Sequence, residues 1–309
     1  MSGLPDPALF NEIAIELGVS PSFIEKDWHV VQLIGLISQH EYEDITAVLS
    51  GGTSLSKGYA LIQRFSEDID FKVKAVPSIT RGGCRQFRNS IIEMIDGEDL
   101  YSVDAASITS RNNSRFFSCN IAYPSNFPMG DALRTSGIKL EMGIQYDTIM
   151  HEMREIRSFV SEFGGSNTDA QIPCVQPIET AADKFSALIW RVLTRDRSKD
   201  LGDRNNDPTI IRHLHDIYAL REIASNDARF KEISETAFHS DRGRLGGDFG
   251  AGLAASAQQA LKVIMDQKTE YQKEYEQFVS AMSYAPDEEQ ITFAEAIDAL
   301  TALYNTISD

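Results

Sequence analysis

Two aspartates, Asp68 and Asp70, stand in the string Asp68-Ile69-Asp70-Phe71-Lys72-Val73. Strict alternation of apolar and charged residues marks a strand with one buried face. Both carboxylates then project from the other face, roughly 6 to 7 Å apart at about 3.3 Å per residue. Like charges held that close repel, and a divalent cation beside them removes the penalty; hard oxygen ligands select magnesium, with manganese as a substitute. An isolated Asp-x-Asp is more often a solvated strand face, so its surroundings decide. Upstream, Ala47-Val48-Leu49-Ser50 runs into Gly51-Gly52-Thr53-Ser54, which reads as a buried strand breaking into a helix that Thr53 caps, where backbone N–H groups can hold phosphate oxygens. Downstream, Glu141 lies on the polar side of a second alternating string, 138–144, placed to act as a metal ligand or a general base. Three carboxylates beside a phosphate-holding corner describe two-metal in-line phosphoryl or nucleotidyl transfer.

The elements that must position these groups follow from pattern. The first forty residues carry helical spacing, with Ser20-Pro21 as a start signal. A helix from about Thr80 to Asp96, closed by Gly97, follows the Asp68 strand, and strand-like stretches lie near 101–108 and 116–123. Residues 124–137 read as a loop. After a Gly/Ser/Pro-rich connection from Gly164 to Pro177 the signals are helical almost throughout, including a capping box at Thr292-Phe293-Ala294-Glu295. The glycine-rich stretch Ser240–Gly252 has no strand before it and reads as a linker rather than a phosphate loop. The fold class expected is α+β: a mixed sheet with helices over residues 1–160, including a helical N-terminal segment, then a mainly helical domain over 161–309 that completes the active-site cleft.

Composition sets outer bounds. The 309 residues are 42% hydrophobic and 24% charged, which suits a folded protein of about two domains. Three cysteines at unrelated spacings fit neither a disulfide framework nor a zinc site. No apolar run is long enough to span a membrane, and the N-terminus lacks a secretory pattern, so the expected location is the cytoplasm. Net charge is −17, and from Glu270 onward nine acidic residues face one lysine. The averaged field repels polyanions, but much of the excess is concentrated in that last stretch.

The string SGGTSLSKGYALIQRFSEDIDF, with IEKDW upstream, resembles the signature of the AbiEii/MenT nucleotidyltransferase toxins, within the polymerase-beta-like nucleotidyltransferase superfamily. Gly51, Gly52, Thr53, Leu55, Lys57, Arg64, Ser66, Asp68 and Asp70 match at family spacing. The resemblance continues in IETAADKFSALIWRVLTRD, where Lys184 falls at the family's helical lysine, and in RHLHDIYAL, where Asp216 falls at its functional aspartate. One departure is His213, where the family often has an acid. The resemblance implies a polymerase-beta-like first domain in which Asp68 and Asp70 hold Mg2+ on a nucleoside triphosphate. Ser54 and the Gly51-Gly52 backbone would support its outer phosphates, with Thr53, Lys57, Arg64 and Ser66 completing the nucleotide-binding set. Lys184 would neutralise phosphate charge, and Asp216 would orient Lys184 or the acceptor hydroxyl.

The function expected by resemblance is an NTP-dependent nucleotidyltransferase, the toxin of a toxin–antitoxin or phage-defence pair. Its acceptor would be RNA such as the tRNA 3′ end, and its partner a cognate antitoxin. Two alternatives stand beside it: transfer of a nucleotide or phosphate to a protein hydroxyl, and a catalytically silent nucleotide-binding regulator. The basic residues an RNA acceptor would use are Arg81, Arg85 and Arg88 on one helical stripe, and Arg191, Arg195, Arg197 and Lys199 near the end of the Lys184 helix. The six histidines are read as structural.

Overall fold

A computed structural model describes residues 3–42, 44–128, 136–145, 149–165, 168–201, 203, 205–245 and 252–308. The chain divides into two compact units, Met1–Val175 and Gln176–Asp309.

In the first unit, helices α1 (Pro7–Leu17) and α2 (Pro21–Ser38) precede strand β1 (Thr46–Ser50). A short helix α3 (Gly51–Thr53) continues as a π-helical turn, Ser54–Gly58, and the chain then enters β2 (Asp68–Lys74), α4 (Arg81–Asp96), β3 (Ser102–Val103) and β4 (Thr109–Arg111). Strands β5 (Phe116–Ala122), β6 (Ile138–Gln145) and β7 (His151–Ile156), helix α5 (Phe159–Phe163) and strand β8 (Ala170–Val175) complete it. The sheet order is β3-β5-β6-β2-β1-β8-β7, with β4 paired to β5. The Asp68 strand is therefore central, antiparallel to β1 and parallel to β6.

Alternation explains both faces. Ile69, Phe71 and Val73 of β2 and Ile138, Leu140, Met142 and Ile144 of β6 enter one core, with Cys84, Phe87, Ile91 and Ile95 of α4 and Val31, Ile34 and Ile37 of α2. Each such side chain contributes about 1.5–3 kcal/mol on leaving water. α4 begins where expected, with the Thr80 hydroxyl accepting from Gly83 N at 3.0 Å. The expected strand over 101–108 is reduced to the two residues of β3 and a 3-10 turn, Ala105–Ser107.

One strand, β8, lies where a bare connection was expected, and its partner β7 lies in the stretch ahead of it. β7 carries charge on both sides, as an edge strand can. β8 contains Pro173, which pairs with Met153 of that edge strand. The sequence boundary at 160/161 falls inside α5 and ahead of β8, whereas the first unit runs to Val175.

The second unit is helical among its described residues: α6 (Pro177–Thr194), α7 (Arg212–Asn226), α8 (Phe230–Leu245), α9 (Leu253–Asp266), α10 (Lys268–Met282) and α11 (Phe293–Ser308), with 3-10 turns at Pro208–Ile211 and Asp287–Glu289. The Thr292/Glu295 capping box is formed, Thr292 N donating to Glu295 Oε2 at 2.8 Å and Glu295 N to Thr292 Oγ1 at 3.3 Å. The Ser240–Gly252 linker begins later than expected, because α8 continues to Leu245; residues 246–251 lie outside the described residues. No described helix is long and apolar enough to cross a membrane.

Candidate active site

The parallel register of β2 and β6 sets Asp70 beside Glu141 and Asp68 beside Lys139. Neighbouring strands run about 4.8 Å apart, so the three acids share a polar patch on the side of the sheet opposite that core. All three are half-buried. Glu141 is engaged along its own strand, where Lys139 Nζ reaches Glu141 Oε1. Among the described residues no three His, Cys, Asp or Glu side chains are grouped around a common cation position. Asp68 and Asp70 are the oxygen donors that could hold a hard cation, with its remaining ligands supplied by water and phosphate oxygens.

The glycine corner is built against these aspartates. Gly51 has φ +72°, a left-handed conformation, and a Cβ there would run into Asp70 Oδ2. A Cβ on Gly52 would come within 2.8 Å of Arg64 Nη2 and 2.9 Å of Ser66 Oγ. Backbone thus approaches carboxylate and guanidinium more closely than any side chain permits. Thr53 does not cap the helix, which starts at Gly51 after the N-cap Ser50. Its hydroxyl instead donates to Asp68 O at 2.6 Å, while Ser50 Oγ donates to Asp70 O at 3.1 Å, so both ends of the corner are sewn to the Asp68 strand. Ser54 is fully enclosed, at 0% exposure. Its side chain is enclosed by the protein, which leaves the Gly51 and Gly52 backbone as the corner's candidate for phosphate. Just beyond the π-helical turn, Ala60 holds φ +52°, a strained value for a residue with a side chain.

Three consecutive charges on α2 hold the parts in place. Glu25, Lys26 and Asp27 are all buried, and successive helical residues point about 100° apart, so each reaches a different segment. Glu25 accepts from Asn126 N at 2.8 Å and Ser125 Oγ at 2.7 Å, gripping the start of the 124–137 loop. Lys26 Nζ pairs with Glu67 Oε2 at 2.9 Å, immediately before Asp68. Asp27 Oδ1 pairs with Lys57 Nζ at 2.6 Å, and its Oδ2 accepts from Phe159 N at 2.9 Å. Lys57 Nζ also lies 3.6 Å from the Phe159 ring centroid. Burial raises the Asp27 carboxyl above its ordinary value, opposed by the Lys57 charge. Lys57, a nucleotide-binding candidate from sequence, is thus drawn into a buried brace that holds the π-helical turn. Arg64 is buried as well, donating from Nη1 to Phe65 O at 2.9 Å. Sequence reasoning missed the three α2 grips; their signal was a run of charges inside a helix otherwise carrying Phe23, Ile24, Trp28, Val30 and Val31.

Within the second unit, Lys184 Nζ on α6 meets Asp216 Oδ2 on α7 at 2.6 Å, with Asp216 fully buried. His213, one turn before Asp216, has both ring nitrogens buried without a hydrogen-bond partner. Burial, and then the neighbouring Lys184 charge, hold it well below the usual histidine range and so neutral. The basic cluster at the end of α6 is largely engaged. Arg195 makes a bidentate pair with Glu274 at 2.7 and 2.8 Å, Arg197 reaches the same carboxylate at 2.6 Å, and Arg191 pairs with Asp207 at 3.1 Å. Burial pushes the Glu274 carboxyl up, but the Arg195 and Arg197 hydrogen bonds outweigh it and hold it below its ordinary value. Arg81 and Arg85 of α4 are exposed.

A carboxylate face on a central strand, sewn to a glycine corner and followed by a helical unit with a buried Lys–Asp pair, is the arrangement of a nucleotidyltransferase. Residues 35–301 match the family described as "Nucleotidyl transferase AbiEii toxin, Type IV TA system", and the chain belongs to that family. Its fold is similar to that of MenT4, a nucleotidyltransferase toxin from Mycobacterium tuberculosis H37Rv, with a TM-score of 0.51 at 15% identity over 97% of this chain and 99% of that one. No curated protein sequence matches it.

Proposed function

We propose that this nucleotidyltransferase toxin transfers a nucleotide from a nucleoside triphosphate to an RNA acceptor such as the tRNA 3′ end, in a reaction that depends on magnesium. The observation that carries the reading is the contact of the Gly51 backbone with the Asp70 carboxylate at the head of β2. A triphosphate lying on the Gly51 and Gly52 N–H groups has its phosphates beside Asp68 and Asp70. The cation, when bound, neutralises phosphate charge and fixes the in-line geometry of attack. Asp68 and Asp70 hold that cation. Arg64 and Ser66 back the corner and keep its amides aimed outward. In the second unit Asp216 fixes the Lys184 ammonium, the group that the family resemblance assigns to phosphate charge.

The test is incubation of the protein with each labelled nucleoside triphosphate, magnesium and total RNA. Labelled RNA is expected with at least one base, and Asp68→Asn and Asp70→Asn are each expected to lower labelling by more than about a hundredfold with the fold retained. Failure to label RNA with any of the four bases overturns the reading.

A second reading, transfer to a protein hydroxyl, draws support from the charge distribution. Net charge is −17, and Arg195 and Arg197, two of the basic groups suited to RNA, are committed to Glu274. Mass spectrometry of the protein and its partners after incubation separates the two by which molecule gains the nucleotide. In either case the family pairs such a toxin with an antitoxin.

A further inference from the structure

The side of the sheet that carries the acids also carries an aromatic ring. Phe116 begins β5, and alternation sends Phe117, Cys119 and Ile121 into the core, so Phe116, Ser118 and Asn120 stand on the opposite side with Asp68 and Asp70. Register orders that side in rows across the strands: Thr109, Ser118, Glu141 and Asp70 in one, and Arg111, Phe116, Gly143 and Lys72 in the next. Phe116 thus lies two strands and two residues from Asp70, roughly 12 Å at about 4.8 Å per strand and 3.3 Å per residue. The ring is half-buried, and no other ring packs on it among the described residues. It borders Gly143, where a Cβ would stand 4.0 Å from Phe116 Cδ2, so that neighbour presents no side chain of its own. Arg111, the direct cross-strand partner of Phe116, is exposed and has no acidic partner among the described residues. The β4–β5 hairpin supplies none, since no Asp or Glu occurs from Ala105 to Gly130 in a chain that has 46 of them. A ring beside a strand glycine can serve only to shield its backbone. That role needs neither a cation at its edge nor an acid-free hairpin.

We propose that Phe116 and Arg111 form a landing for single-stranded RNA, where a base near the reacting end stacks on the Phe116 ring and Arg111 takes a backbone phosphate. The inference rests on the RNA-acceptor reading and deepens it: the acceptor is an unpaired strand, laid across β5 and β6 toward the aspartates of β2. Every base has a face that can stack on a ring, so such a landing holds the strand without reading its sequence. A guanidinium beside the ring adds the phosphate contact that a single-strand site needs in a chain whose net charge is −17. Exposed Thr109 and Asn120, on the same side, add neutral groups suited to phosphate and ribose. Phe116 lies too far from Asp70 to touch the reacting atoms and is a positioning residue.

The test measures binding of a fluorescein-labelled single-stranded RNA to the full chain by anisotropy across a salt series, together with the kinetics of nucleotide transfer to the same RNA. Phe116→Leu, which still covers Gly143, is expected to weaken binding about tenfold and to raise KM for RNA to match, with kcat and the KM for triphosphate unchanged within about twofold. Phe116→Tyr is expected to restore both. Arg111→Gln is expected to flatten the dependence of log affinity on log salt by about 0.7, the share of one phosphate on a single strand, whereas Phe116→Leu leaves that slope unchanged. Undiminished RNA affinity in a Phe116→Leu chain that melts normally, or a fall in kcat in place of the rise in KM, overturns the inference. Where Phe116→Leu fails to fold, an unchanged salt slope in Arg111→Gln, at an exposed position, does so. In each of these cases RNA is still labelled and the RNA-acceptor reading stands. An unmodified protein that labels no RNA overturns that reading, and the inference falls with it.

Discussion

A single methyl group decides whether the corner can exist. At position 51 the backbone sits at φ +72° with the Asp70 carboxylate in the space a Cβ needs. Gly51→Ala therefore meets two penalties: a left-handed conformation costing about 1–2 kcal/mol, and displacement of the carboxylate proposed to hold the cation. Nucleotide transfer is expected to fall more than about a hundredfold, while chemical denaturation records a loss of only those 1–2 kcal/mol. An equal loss of both, with unfolded protein accounting for the missing activity, would contradict this account. Ser66 and Arg64 share the logic on the other side of the corner, since Gly52 leaves them room that no other residue would.

The elements that frame the site are joined by buried charge. The Asp27–Lys57 pair ties α2 to the π-helical turn with both side chains largely shielded from water. Lys57→Met leaves a buried carboxylate without its cation and is expected to cost about 3–5 kcal/mol; Asp27→Asn added to it should recover most of that, because the amide oxygen still accepts from Phe159 N and no charge is left uncompensated. Denaturant titration of the four chains of this double-mutant cycle measures the coupling directly. What was legible in the sequence and what was not divides along the same line. β2, β6, α4 with its Thr80 cap and the Thr292/Glu295 box are local patterns, and local patterns can be read. The glycine corner could be found because its glycines mark a backbone requirement. The α2 grips could not, because Lys26 and Glu67 are 41 residues apart and helical spacing alone does not tell a buried charge from a solvated one. Thr53 was misread for a related reason: its hydroxyl serves the carbonyl of a distant strand residue, not the amides of its own helix. β8 was hidden by Pro173, and β7 by charges that an edge position tolerates.

At the scale of the whole chain, acid is the condition to which the fold is most exposed. His29 is buried on α2, 3.2 Å from the Tyr101 hydroxyl, and burial lowers its pKa from 6.5 to about 4. The folded state therefore binds this proton less readily than the unfolded chain. Its contribution to stability is complete above pH 6.5 and is lost as pH falls toward 4. Between pH 7 and pH 5 the unmodified protein is expected to lose about 2 kcal/mol more stability than His29→Gln, which keeps a polar partner for Tyr101 and has nothing to titrate. Parallel pH profiles for the two chains would refute the assignment. The three neighbouring charges on that helix carry a different implication. Because Glu25, Lys26 and Asp27 each anchor a separate stretch of the chain, their grips share one angular phase. Adding or deleting one residue just after Asp27 would turn the three grips by about 100° relative to the core-facing Val31, Ile34 and Ile37 and release all three stretches at once. The keystone of the candidate site thus lies in a helix on the far side of the sheet from the carboxylates.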